Sequence, residues 1–335
     1  MLILFSFSVS AQSQVEIDAN PVDSTTDFHY YEDQSDKLLL KLMTVVKSNI
    51  LEIDNINNEQ SLELEPYGIT SLGFGFNYKW LGLGIAFGLP ASAEEERIYG
   101  KTSRFDFQLN IYSKKFVVDA FMQQYNGFHI SNPTVLTQWD SIAFPQRDSM
   151  QTLSTGIGGF YVFNHKKLSY KAAYVRNAIQ KKSAGSFLLG GYCNIDYAGF
   201  ETGATSFFVP KYFPQEVQDS FNLNSYRSIN YGISFGYTYT FIFWKRFFVN
   251  LTLAPGVGVQ NLIVFSTTGE KSTERGAASR FVGRFALGYE NKHFMIGMTS
   301  YGSTGTFEYE NFEIKPSTNN LKFFFAKRFN VKKKR

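Results

Sequence analysis

The stretch "INYGISFGYTYTFIF", residues 229–243, places Ile229, Tyr231, Ile233, Phe235, Tyr237, Tyr239, Phe241 and Phe243 on one side of an extended chain. Asn230, Gly232, Ser234, Gly236, Thr238 and Thr240 fall on the other. Successive side chains of a strand point to opposite faces, so this period of two reads as a strand with one apolar face. A soluble sheet would carry many Lys and Glu opposite its apolar face. Here the opposite face is small and neutral, and the apolar face is aromatic and uncharged. Strands that are apolar outside and polar inside, parted by turns, have the pattern of a transmembrane barrel.

The period recurs. "SLGFGFNYKW" (71–80) and "LGLGIAFGL" (81–89) make a hairpin, as do "RFDFQLNIY" (104–112) and "FVVDAFMQQY" (116–125). After "WKR" comes "FFVNLTLAPGVGVQ" (247–260), and "RFVGRFALGY" and "FMIGMTSY" flank a turn at Asn291–His293. Residues 247–269 carry no charge, yet Pro255, the glycines and the alternation speak against a transmembrane helix. Pro255 removes one ladder hydrogen bond, which a bulge would accommodate.

Composition agrees with this reading. Aromatics are 17% and charged residues only 19% of 335 residues, a balance that suits pleated surfaces. A net charge of +4 is too mild to suggest nucleic acid as a partner. The single cysteine, Cys193, excludes an internal disulfide and a Cys-based zinc site.

Short connections (Lys79–Leu81, Ser113–Lys115, Asn164–Lys167, Trp244–Arg246, Asn291–His293) alternate with long ones near 89–101, 129–150, 177–184, 263–277 and 303–319. Bacterial barrels have short periplasmic turns and longer outer loops, which sets the sides. The expected fold is all-β: an up-and-down antiparallel transmembrane barrel over 37–330, with about 14 strands and 12 as the alternative. The higher count needs strands at 168–176 and at "FETGATSFFV" (200–209). The first hairpin is expected to reach outward through "ILEID" and "SLELE".

Residues 1–11 read as an incomplete signal peptide, apolar from Leu2 to Val9 and ending in a small-residue cleavage pattern. Residues 12–36 read as a flexible periplasmic lead-in and 331–335 as a basic periplasmic tail. In the last strand, "LKFFFAKRF", Leu321, Phe323, Phe325 and Phe329 point out, and Lys322, Phe324, Ala326 and Arg328 point in. This strand, Leu321–Phe329, resembles the signal that the barrel-assembly machinery reads. That machinery and outer-membrane lipid are the expected partners, in the outer membrane of a Gram-negative cell.

The blocks "SDKLLLKL", "LELEPYGITSLGFGFNYKWLGLGIAFGL", "GKTSRFDFQLNIYSKKFVVDAF", "SAGSFLLGG" and "FGYTYTFIFWKRFFVNLTLAPGVG" resemble a domain-of-unknown-function family, number 4421, of Bacteroidetes-type outer-membrane barrels. The resemblance covers about 35–330. It implies fold and location, and carries over no catalytic or binding residue.

No catalytic motif stands out. His129, Ser131, Asp140 and Asp148 are near in sequence, but a triad is recognised by geometry and not by spacing. No histidines have metal spacing, and no cofactor is implied. The chain is therefore expected not to be an enzyme. The inward charges carry the functional lean. Lys79, Arg104, Arg280 and Arg284 are basic, Asp106 and Asp119 acidic, and Lys37, Lys41, Lys171, Lys322 and Arg328 join the basic set. Two readings stay open: basic residues lining a path for small anionic solutes, or a structural network filling the lumen of a non-transporting barrel that binds a partner. Inward Phe121, Phe160 and Phe324 favour a partly filled interior.

Overall fold

A computed structural model describes residues 9–10, 30–68, 70–78, 81–200 and 207–331. Of the expected segments, the leader apart from Val9–Ser10, the lead-in up to residue 29, Lys79 and the tail 332–335 lie outside the described residues.

In chain order the strands are β1 (Val9–Ser10), β2 (Tyr31–Asp33), β3 (Leu38–Asn55), β4 (Gln60–Glu65), β5 (Thr70–Tyr78), β6 (Leu81–Gly88), β7 (Ser103–Tyr112) and β8 (Phe116–Ile130). They continue with β9 (Gln146–Val162), β10 (Ala178–Gln180), β11 (Ala184–Phe200), β12 (Leu223–Phe243), β13 (Phe247–Ser266), β14 (Lys271–Glu290), β15 (Phe294–Tyr309) and β16 (Phe312–Phe329). Four short helices lie between them: α1 (Ala93–Tyr99), α2 (Pro133–Leu136), α3 (Tyr170–Tyr174) and α4 (Gln215–Ser220).

The sheet is antiparallel and closes on itself. Around one end the ring runs β3–β4–β8–β9–β11–β12–β13–β14–β15–β16 and back to β3, ten strands in all. We call this the loop end. At the other, the turn end, β3 pairs instead with β5, and β5 with β6, while β7 pairs with β8. Among the described residues no ladder joins β6 to β7; β1 pairs with β6 and also neighbours β7. The ring of ten is thus widened by β5, β6 and β7 toward the turn end.

The polarity of the two faces reverses along the strands. Near the turn end the outward residues are apolar and exposed: Leu40 and Leu42 on β3, Phe235 on β12, Leu251 on β13, Phe281 on β14, Phe323 on β16. Toward the loop end the same outward rows become polar. Lys315 on β16 pairs there with Asp54 (2.5 Å), Glu313 (3.0 Å) and Glu52 (3.3 Å). The inward rows reverse in the opposite sense. Leu51, Ile53, Leu62, Leu64, Leu262 and Val264 are buried inside at the loop end, where they form one apolar cluster with Phe208, Phe213 and Phe221. At the turn-end rim, outward rings run in an unbroken row across five strands. Phe243 touches Phe247 (5.8 Å), Phe247 Tyr289 (5.1 Å), Tyr289 Phe294 (5.8 Å) and Phe294 Phe325 (6.2 Å).

This reversal corrects two expectations. The stretches 263–277 and 303–319 are not long loops. They are strand, with tight turns at 267–270 and 310–311. Their alternation has apolar side chains facing in, so a search for outward apolar rows passes them over. "ILEID" and "SLELE" do extend the first hairpin, as the ends of β3 and as β4.

The strand count also changes. Residues 168–176 are not a strand but α3 and its flanks, because Tyr170 and Tyr174 satisfy a helical spacing as well as an alternating one. Their rings touch at 4.9 Å across one helical turn. The stretch 163–183 joins β9 to β11 at the turn end, so 177–184 is no outer loop. Of 200–209, residues 201–206 lie outside the described residues, Phe200 ends β11, and 207–209 is not strand. β11 pairs antiparallel with both β9 and β12, which removes the need for an extra crossing.

Gly127 marks a bulge. The β8–β9 register slips between Asn126 and Phe128, and Gly127 sits at φ 88°. A Cβ there would fall on the carbonyl oxygen of Lys101. Gly127→Ala is expected to cost at least about 1–2 kcal/mol from left-handed strain alone. Gly283→Ala, whose Cβ would meet only the Phe281 ring at 3.7 Å, is expected to be close to neutral. Unfolding midpoints, read from the gel mobility of heated and unheated protein, check the contrast.

Candidate functional site

The candidate site is a central chamber inside the barrel, with a cavity volume of about 170 Å3. Period two supplies its wall: the residues opposite the exposed aromatics are Asn, Ser, Thr, Gly and charged side chains. Five cations line it, Lys41, Arg176, Arg280, Arg284 and Lys322, against the carboxylates Asp119 and Asp196.

Both ends are filled. At the loop end the apolar cluster, with α2, α4 and residues 207–222, fills the interior. At the turn end a plug enters the lumen. It consists of the β9–β11 connection with α3, joined by β10 to β2 of the N-terminal segment. Ser169 caps α3, its hydroxyl accepting from the Ala172 amide at 3.3 Å. A helix this short is not stable alone, so contacts with the wall must hold it. Tyr174 donates to Asn250 Oδ1 (2.6 Å), Lys41 Nζ to the Val175 carbonyl (2.9 Å) and Arg328 to the Arg176 carbonyl (3.0 Å). The Arg176 guanidinium lies over the ring of Phe248 (3.9 Å) and near that of Phe324 (5.2 Å). Arg328 is ion-paired with Glu290.

The residues singled out from sequence divide into three groups. Lys79 lies outside the described residues. Arg104 and Asp106 bind the wall together. Asp106 pairs with Lys47 of β3 and accepts from Gln123 (3.2 Å), and Arg104 donates to Ser71 of β5 (2.5 Å). These contacts tie β7 back to β3 and β5 on the flank where β6 and β7 share no ladder. Asp119, Arg280 and Arg284 face the chamber. Arg284 is ion-paired with Asp119 and donates to the Tyr112 hydroxyl (2.6 Å), which donates to Asp119 (2.8 Å). Arg280 donates to Ser303 (3.2 Å) and lies over the Tyr192 ring (4.9 Å).

Four participants were missed from sequence. Lys47 and Asp196 obey the inward parity of their strands, so extending the alternation by a few residues would have found them. Glu290 lies at the end of β14 beside a turn. Arg176 stands in a segment read as strand, and nothing local marks it.

The Ser/His candidates do not assemble. Ser131 donates to Glu63 (3.1 Å), and His129 is packed between Tyr99 (5.2 Å) and Phe144 (5.2 Å) on the outside of the wall. Nearby, on α1 outside the barrel, hydrogen bonds from Tyr67 and from the Ser92 cap hold the Glu95 carboxyl down at about 2.

Residues 22–329 match a family described as a domain of unknown function, DUF4421. The chain belongs to that family. Solved structures similar to this DUF4421 barrel include the outer-membrane protease OmpT of Escherichia coli, at 7% identity and a TM-score of 0.37, covering 89% of this chain and 98% of that one. The toluene transporter TodX of P. putida is 8% identical with a TM-score of 0.24, covering 97% of each chain. The translocator domain of the autotransporter NalP from Neisseria meningitidis is 7% identical with a TM-score of 0.32, covering 86% of this chain and 88% of that one. No curated protein matches. Likenesses this distant concern barrel architecture and carry no argument about activity. They do correct one expectation. A protease stands among the similar barrels, so the missing catalytic motifs do not license the statement that this chain is not an enzyme.

Removing one member of a buried ion pair strands the other. Asp119→Asn is expected to cost about 3 kcal/mol. The double variant Asp119→Asn with Arg284→Gln should lose clearly less than the two single losses combined. Equilibrium unfolding in detergent micelles measures the coupling.

Proposed function

We propose that the protein is an outer-membrane β-barrel of a Gram-negative bacterium, shut at rest, that admits small and preferably anionic solutes when its plug moves. Two features support the membrane reading. The exposed apolar zone on β13 runs from Leu251 to Val259, and a tilted strand needs roughly 9–11 residues to cross. The aromatic row at the turn-end rim sits where an interface girdle belongs. In this reading the turn end is periplasmic. Counting β4 and β5 as one strand gives twelve crossings at that end. Residues 1–11 are the leader, 331–335 is a periplasmic tail, and β16 is what the assembly machinery reads.

The plug carries the functional reading. It is held by side chains and rings instead of a ladder to the wall, and behind it lies a charged chamber too polar to serve merely as core. The second reading is a non-transporting envelope barrel. The Lys47–Asp106 and Arg284–Asp119 pairs favour it, since they neutralise much of the interior.

Bilayer recording separates the two. Phe163 and Phe187 are hydrogen-bonded neighbours, so residues 166–182 can be replaced by a short Gly-Ser turn. The intact barrel is expected to be silent and the plug-less barrel to conduct with chloride preferred over potassium. A silent plug-less barrel would establish the structural reading instead.

The face assignment is checked separately. Leu251→Arg, in the apolar zone, is expected to cost about 2–4 kcal/mol in lipid vesicles. Thr273→Arg, outward on β14 but beyond that zone, should change stability little. Equal costs would place the membrane elsewhere on the wall.

A further inference from the structure

We propose that the turn-end rim is a docking surface for anionic phospholipid. Lys245 and Arg246 of the β12–β13 turn, Lys292 of the β14–β15 turn and Lys327 of β16 hold the headgroup phosphates, and the outward rings beside them lie against the lipid. The inference rests on the reading of the chain as a membrane barrel, and deepens it by naming the class of lipid.

The ladder brings these cations together. Phe247 stands opposite Tyr289, and Phe294 opposite Lys327. The Glu290 amide donates to the Arg246 carbonyl (2.9 Å) and the Arg328 amide to the His293 carbonyl (2.6 Å), so the two turns and the end of β16 form one continuous edge. All four cations are exposed, and among the described residues no ion pair engages them. Across 243–247, 289–294 and 325–329 the one acid is Glu290, which is buried against Arg328. Arg246 donates to the Tyr289 hydroxyl (2.9 Å) and Lys327 lies over the Phe329 ring (5.3 Å), contacts that hold the charges beside the rings without neutralising them. Further round the rim Lys115, Lys166 and Lys182 are exposed, against Asp33 and Asp36. Beyond the apolar zone at the loop end the outward row is acidic instead, with Glu52, Asp54 and Glu313 around Lys315. The positive charge thus belongs to one edge of the apolar zone.

The rings decide the occupant. An acidic protein could satisfy the same lysines, but it would not need aromatic side chains on the outward side of each turn. Here Phe243 and Phe247 flank Lys245 and Arg246, Phe294 follows Lys292 and His293, and Phe325 and Phe329 flank Lys327 on its own face. They belong to the row of touching rings that crosses the rim from Phe243 to Phe325. Aromatic rings settle at headgroup level, and the long stems of Lys and Arg let their charges reach the phosphates beside them. Several uncompensated cations along one edge favour lipids of net negative charge over zwitterionic ones. The β12–β13 turn adds an independent observation. Trp244 and Lys245 are both left-handed, at φ 48° and 62°, where Asn or Gly would be relaxed. The turn keeps a Trp there that is 81% exposed, and strain of this kind accompanies side chains placed for what they touch.

The test uses the full-length barrel in phosphatidylcholine vesicles, with Trp80→Phe and Trp139→Phe so that Trp244 is the remaining indole. Its fluorescence is quenched with brominated phosphatidylglycerol or brominated phosphatidylcholine. Phosphatidylglycerol is expected to compete about fivefold better for the rim at low salt, and the preference should shrink as salt is raised. Combining Lys245→Gln, Arg246→Gln, Lys292→Gln and Lys327→Gln should bring the two lipids to parity. Lys292→Gln alone should already lower the preference, so the outcome does not hang on the fourfold variant folding. Lys271→Gln with Arg275→Gln, which removes two exposed cations from the loop end, should leave the preference unchanged. Equal quenching by the two lipids would overturn the proposal and leave the rim to an acidic protein. A preference that survives the fourfold variant, or that falls as far with the loop-end pair, would overturn it too. Protein that fails to float with the vesicles would refute the membrane reading itself, whereas protein that floats and shows no preference refutes the lipid site alone.

Discussion

Closure of the ladder is the constraint on which the rest depends. The closed ring of ten gives each of its strands one inward and one outward face, and neighbours in register must agree on polarity at each height. If one strand is apolar outside at the turn end, its neighbours must be so too, or a band could not form. The change of sign must also fall at similar heights around the ring. β3, β13, β14 and β16 all make that change, from Leu42 to Asp54 and from Leu251 to inward Leu262. The barrel is thus two solvents' worth of protein in one sheet. One half is inside-out, with a polar interior and an apolar coat. The other has an ordinary apolar core.

That division also explains why the two ends are filled by different means. The loop end is closed by dry packing of Ile53, Leu64, Phe208 and Phe221, which are buried almost completely. Opening it would expose a core. The turn end is closed by α3 and its flanks, held by hydrogen bonds from Tyr174, Lys41 and Arg328 and by rings around Arg176. Polar contacts can be exchanged for water at small net loss, whereas buried apolar surface cannot. Of the two closures, the plug is the one suited to move.

Much of the wall was legible in the sequence because alternation is a local signal that a closed ladder preserves. Phe235, Leu251 and Phe323 face out, and Asn250, Lys322 and Arg328 face in, as their parity requires. The strands near 263–277 and 303–319 were misread because the same period runs there with its sense reversed, and only the location of the core tells which sense applies. Residues 168–176 were misread because Tyr170 and Tyr174 fit two periods at once. For the site, parity placed Arg104, Asp106, Asp119, Arg280 and Arg284 inside but not their partners. Those partners come from strands distant in the chain, as with Arg284 of β14 and Asp119 of β8. Arg176 was beyond reach, since its place depends on a fold-back that no local pattern records.

The split at β4 and β5 has a consequence for how the molecule is put together. A ring of ten strands is narrower than one widened by β5, β6 and β7, so the barrel tapers toward the loop end. A tapered vessel can be corked from its wide mouth only. The cork itself has two pieces, Tyr31–Asp33 ahead of the first long strand and Ala178–Gln180 between β9 and β11, and these must meet edge to edge. Neither piece can be seated until the strands on both sides of it have taken their places. Wall first and stopper last is therefore the expected order of assembly, with the stopper entering from the end at which β3 starts and β16 stops.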